Sequence, residues 1–231
     1  MQALLFFAVL LFSSLNGEEQ LHKLTVNGSA IVSKPADKLS VSIGVVTQGP
    51  NVQEVVQANA QKMQKVLAAL KKAGLSDSEI KTGGFSIALQ YSQPPRNPPA
   101  DWRPDITGYQ VRNTLLVQTQ KLELAGPLLD AASKEGANLI DNLAFTLQDM
   151  QSAEAEAISQ AVQQARLYAD SAAKAAGVAL GPVLELNINP LMATPRMMKG
   201  FSMAMAEPST PVLPGDVEVT ASVGLVYEIK H

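Results

Sequence analysis

The side chains able to do chemistry in this 231-residue chain are few, and their spacing suits no familiar reaction. There are two histidines, His22 and His231, and no cysteine. One histidine lies near the start of the expected exported chain and the other is the last residue. A general base needs rigid support around it, which a chain end does not give. Without cysteine or a histidine pair, no ordinary zinc ligand set can be assembled. Ser171–Lys174 spells S-x-x-K and Lys81–Gly83 spells K-T-G, two fragments of the serine enzymes that open β-lactams. Here they stand in reverse order, no S-D-N lies between them, and Ser171 falls in the middle of a long helical pattern. A solvated helix face and a turn are therefore expected. Gly200–Ala204 lacks the final glycine of a nucleophile elbow. Asp141 and Asp149 sit on or near one strand, while Glu154 and Glu156 open a helix, where they complement its dipole. Gly83–Gly84 reads as a turn. No catalytic residue, cofactor or cofactor-binding residue is expected, and the chain reads as a non-enzyme.

Sulfur is the exception. Five of eight methionines, Met192, Met197, Met198, Met203 and Met205, fall within one short stretch. Thioethers are soft ligands suited to Cu(I), they oxidise reversibly, and they fill irregular apolar contacts. The stretch has no His or Cys to complete a metal shell. Pro190, Pro195, Gly200 and Pro208 are expected to hold it out of regular structure. It reads first as a loop joining two strands and meeting a neighbouring subunit. Copper binding by the five methionines, or sacrificial oxidation, is the alternative.

The surrounding elements are set by hydrophobic period. Residues 3–12 form an unbroken apolar run, too short to span a bilayer and suited to a signal peptide ending near residue 17. Its start lacks Lys or Arg, and Leu15-Asn16-Gly17 is an imperfect cleavage site. The absence of cysteine is compatible with an oxidising compartment, so a periplasmic or secreted protein is expected. No other segment suits a membrane span. Charged residues are 17% of the chain and the net charge is -3, without the clustered basic residues that nucleic acid needs.

Leu24–Ser33 and Lys38–Val46 alternate apolar and polar residues on either side of Pro35 and read as a hairpin. Residues 52–72 follow helical spacing, with Asn51 as a cap and Gly74 as a stop. Phe85, Ile87, Leu89 and Tyr91 alternate in a strand. A stiff proline loop, Pro94–Pro104, leads to another strand through Val117. A short helix near 122–134, a strand near 138–148, and a long alanine-faced helix follow. Two strands close the chain, giving the order ββαββαβαββ. This is an α+β fold: mixed, mainly antiparallel sheets with helices packed on one face. Residues 22–85 with 151–231 are expected to form an outer subdomain, with 86–150 inserted. Trp102, Pro98, Pro99, Met197 and Met198 are the candidate interface residues, since aromatic and Met side chains favour contacts.

"GSAIVSKPADKLSVSIGVVTQG", "GLSDSEIKTGGFSI", "ITGYQVRNTLLVQTQKLELAGPLLDAASKEGANLIDNLAFTLQD", "ARLYADSAAKAAGVALGPVLELNI" and "PGDVEVTASVGLVYEI" together resemble the SIMPL-domain family. That family takes in periplasmic 26-kDa immunogenic proteins and oxidative-stress defence proteins. The likeness covers about Leu24 to Ile229. It implies an exported α+β protein that forms homo-oligomers and supports envelope or oxidative-stress tolerance, with possible envelope partners. It supplies no reaction and no active-site residues.

Overall fold

The computed structural model describes residues 22–189, 192–196 and 212–230, with backbone alone for 192–196. Among the described residues eight strands form two four-stranded antiparallel sheets. In the first sheet, β8 (Asp216–Lys230) pairs with β1 (Lys23–Pro35) along its whole length, from Lys23 opposite Glu228 to Pro35 opposite Asp216. On its other side β8 meets β6 (Ala179–Ile188) and then β7 (Met192–Arg196). Asn189 N–H donates to Ser222 O at 2.9 Å, so β6 and β7 run as one interrupted edge strand. The second sheet has the order β3 (Ile80–Tyr91), β4 (Ile106–Thr119), β2 (Lys38–Gly49), β5 (Leu139–Thr146).

Three expectations are corrected. The first two strands are not a hairpin. Ala36 N–H donates to Gly215 O in the first sheet and Asp37 N–H to Thr146 O in the second, so the chain changes sheets at this link. The start of the methionine stretch is not irregular, because Met192–Arg196 pairs with Thr220–Asp216. Pro195 is tolerated there because the strand lies at an edge, where a missing N–H breaks no inner ladder. β7 thus adds a strand, giving ββαββαβαβββ. Gly83 also belongs to β3, at a bulge between Thr82 opposite Leu115 and Gly84 opposite Thr114, rather than to a turn before it. The second sheet takes in residues 38–146, because β2 pairs with β4 and β5.

Each sheet carries helices on one face. α1 (Val52–Lys72) lies on β2 and β4 with α2 (Ala125–Lys134) beside it, and α3 (Met150–Ala176) lies on β1 and β8. Asn51 caps α1 by accepting from Gln53 and Glu54 N–H, and Gly74 ends it at φ 111°. That conformation favours glycine because it has no Cβ. Asp149 caps α3 through Ser152 N–H at 2.9 Å. The core face of α1 is Val55, Met63, Val66 and Leu70. On α3 it is a row of six buried alanines: 153, 157, 161, 165, 169 and 173. Small side chains let α3 settle close to β1. A Cβ on Gly28 would come within 2.6 Å of Ala165 N and closer still to Ala161 O. Buried residues of both layers form one continuous cluster, from Val26 and Leu225 in one to Leu39, Ile43 and Val117 in the other.

Candidate functional site

The structure scatters the residues singled out for chemistry. Ser171 Oγ donates to Leu167 O one turn back, as a solvated helical serine does. Glu156 pairs with Lys34 of β1 at 2.8 Å. Among the described residues no three of His, Asp and Glu converge to hold a metal ion. Met197, Met198, Met203 and Met205 lie outside the described residues, and Met192 is described by backbone alone, within β7. The proline loop joins β3 to β4. Ser92 N–H donates to Asp105 O at 2.8 Å and closes its neck, and Trp102 N–H donates to Pro99 O at 3.0 Å. Pro98 and Pro99 are exposed, and Trp102 is partly buried.

The loop crowns a surface that the sequence reading missed. Phe85, Ile87, Leu89 and Tyr91 of β3 are 44% to 55% exposed. They are not on the polar side of the sheet. Ile87 lies opposite Val111, which is wholly buried, and α1 reaches the carbonyl of Val111 through Asn59. Directly opposed residues share a face, so this row belongs to the helix-covered face. α1 covers β2 and β4 and stops short of the edge strand. Ile106, opposite Tyr91, extends the apolar surface and is 53% exposed.

The first sheet repeats the pattern. Val183, Leu186 and Ile188 of β6 lie opposite Tyr227, Leu225 and Val223, all buried on the α3 side of β8. Together with Leu184 at the bulge, these β6 side chains are 42% to 50% exposed. The alternation of both strands was legible in the sequence. The width of the helices laid over them was not.

Glu79 accepts from Ser76 N–H at 2.7 Å, Ser76 Oγ at 2.8 Å, Thr119 Oγ1 at 2.6 Å and Lys121 Nζ at 3.2 Å. The Ser76 backbone bond, then the Thr119 hydroxyl, hold its carboxyl down from 4.5 to about 2, against the opposing effect of burial. Lys121 Nζ also donates to Gly74 O at 2.7 Å, so the cluster ties the end of α1 to β4. A shallow cleft of about 490 Å³ lies over it. Another of about 640 Å³ is lined by Thr47, Gly49, Glu54, Val55, Lys62 and Asn138. Beside it, Asn59 is fully buried. Its amide donates to Val45 O at 2.9 Å and Val111 O at 3.3 Å, while its Oδ1 has no partner among the described residues.

Geometry and surface define an α+β protein with apolar strand faces exposed at one edge of each sheet. The chain belongs to the SIMPL family, described as proteins of unknown function (DUF541), which it matches over residues 24–227. It is 33% identical over 213 residues to the 26 kDa periplasmic immunogenic protein of Brucella melitensis, covering 90% of this chain and 85% of that one. The Brucella abortus protein of the same name matches over the same span at the same identity. An uncharacterized protein, YggE, of Edwardsiella ictaluri is 25% identical over 160 residues, covering 69% of this chain and 65% of that one. With its Brucella relatives, the chain is a periplasmic or secreted protein, and no described helix is long and apolar enough to cross a membrane.

Proposed function

We propose that this protein works by self-association in the periplasm, as a non-enzymatic assembly supporting tolerance of envelope or oxidative stress. The observation that carries the assembly is the uncovered β3 row, Phe85, Ile87, Leu89 and Tyr91, with Ile106 beside it. The exposed parts of these five side chains amount to roughly 450 Å², within the range of the largest patch on a typical monomer and of a kind that marks interaction sites. Segment 85–91 also carries no charge and no proline at a sheet edge. Monomeric proteins protect such edges, so a partner strand or surface is the natural complement. The stress role rests on the family resemblance.

Light scattering on protein purified from the periplasm of an expressing host tests the assembly. A mass several times that of one chain at micromolar concentration is expected, and a strict monomer refutes it. For the stress role, a strain lacking the protein should survive peroxide less well than its parent. Equal survival refutes that part.

A further inference from the structure

We infer that copies join head to tail, the β3 edge of one meeting the β6 edge of the next. The inference rests on the self-association proposed above and specifies its two surfaces. Two sheets have four edges, and they are treated differently. At β1, Gln164 Oε1 of α3 accepts from Ser29 N–H at 2.6 Å, and Lys34 is tied to Glu156. At β5 the register shifts against β2, Asn142 takes a positive φ of 55°, and β7 comes alongside. Side-chain caps and bulges of this kind stop strands from adding. Among the described residues the edges of β3 and β6 remain; they too carry register shifts, but outside one regular stretch each. β3 is regular from Gly84 to Gln90, and β6 from Glu185 to Ile188.

These two edges complement each other. Both carry their apolar row on the helix-covered face, so laying one beside the other continues both rows on one side. The rows expose about 800 Å² together, a large part of the 1,200–2,000 Å² that a stable interface buries. The opposite faces differ in charge. Beside β3 stand Lys81 and Arg112, opposite Leu116 and Ser86, and neither forms an ion pair with another described residue. Beside β6 stands Glu185, opposite Val226, which accepts from the Asn187 amide and has no cation partner among the described residues. A β3–β6 contact brings Lys81 and Arg112 to the side of Glu185. A β6–β6 contact sets Glu185 against itself, and a β3–β3 contact leaves the β6 row bare. Two unlike surfaces on one chain make a heterologous contact, which closes into a ring or runs on as a filament.

The test uses Ile87→Lys, which blocks the β3 row, and Leu186→Lys, which blocks the β6 row. Each variant alone should fall to a monomer. Mixed in equal amounts they should form a dimer that grows no further, since each supplies the one surface the other lacks. If Leu186→Lys alone keeps the wild-type mass, the head-to-tail contact is wrong while self-association stands. If the wild type is itself a monomer, self-association fails. Should either lysine variant fail to fold, cysteine trapping decides. The chain has no cysteine, and Ala88 and Asn187 are exposed on the polar faces of the two edge strands. Ala88→Cys and isotopically heavy Asn187→Cys, mixed and oxidised, should give the mixed-mass dimer in excess of both single-mass dimers. A statistical mixture or an excess of single-mass dimers overturns the inference.

Discussion

Gly28→Ala adds one methyl group where β1 meets α3. A Cβ there would lie 2.6 Å from Ala165 N and 2.9 Å from Ala165 Cβ, against an ordinary contact of 3.4 Å or more. The backbone of α3 must therefore retreat by 0.8 Å or more, taking 3.4 minus 2.6. No flexible side chain can yield instead, because the helix face is alanine from 153 to 173. A gap of that size forfeits a quarter to a half of each dispersion contact along the interface. Overpacking of this kind costs about 3 kcal/mol, at the upper end because backbone must move. Alanine also narrows the unfolded ensemble, which returns about 0.7 kcal/mol. The net loss is about 2 kcal/mol. Urea unfolding at one fixed protein concentration reads it, since association adds apparent stability. With a slope of about 2–3 kcal/mol/M the midpoint should fall by about 1 M. Gly84→Ala is the control: its Cβ meets nothing closer than 3.5 Å, so its midpoint should hold or rise. A Gly28→Ala midpoint equal to that of Gly84→Ala would refute the close α3–β1 packing.

Two further outcomes follow from polar groups, one at the end of α1 and one beneath it. Glu79 is ionised down to about pH 2 in the folded chain and to about 4.5 when unfolded. Its contribution is therefore complete above pH 4.5 and is lost as pH falls toward 2. Glu79→Gln should lower the urea midpoint at pH 7 and reduce the loss of stability between pH 5 and 3; a difference between variant and wild type that stays constant across that range contradicts the assignment. Asn59→Ala removes the donor to Val45 O and Val111 O beneath α1, and should cost about 2 kcal/mol by urea unfolding. An unchanged midpoint would mean those bonds contribute nothing net.

Much of the fold was legible because local patterns and tertiary packing agree. Val217, Val219, Ala221, Val223, Leu225 and Tyr227 alternate in sequence and are all buried in β8. The alanine spacing of α3 announced a close-packed helix face, and Gly28 supplies its counterpart. The hairpin reading failed for a physical reason. Two alternating strands around a proline look alike whether they pair with each other or part company, and pairing here is decided by partners 60 or more residues away. β7 was missed because proline argues against strands in general, whereas an edge tolerates it. The candidate surface was half legible. Phe85, Ile87, Leu89 and Tyr91 stood out as a strand row, but alternation alone says that one side is apolar. It does not say that the covering helix ends one strand too soon.

That shortfall in cover is what ties the fold to the proposed self-association. α1 lies over β2 and β4, and α3 lies mainly over β1 and β8, only fringing β6. The sequence nevertheless keeps phenylalanine, isoleucine, leucine and tyrosine on β3, where about half of each side chain faces solvent. At the same time it spends Gln164, the Lys34–Glu156 pair and the Asn142 bulge on closing the edges of β1 and β5. A chain indifferent to strand addition would leave all its edges alike. One that only avoided addition would close them all. Closing one edge of each sheet and leaving an apolar row at the other fits a molecule selected to meet its neighbour in a fixed direction.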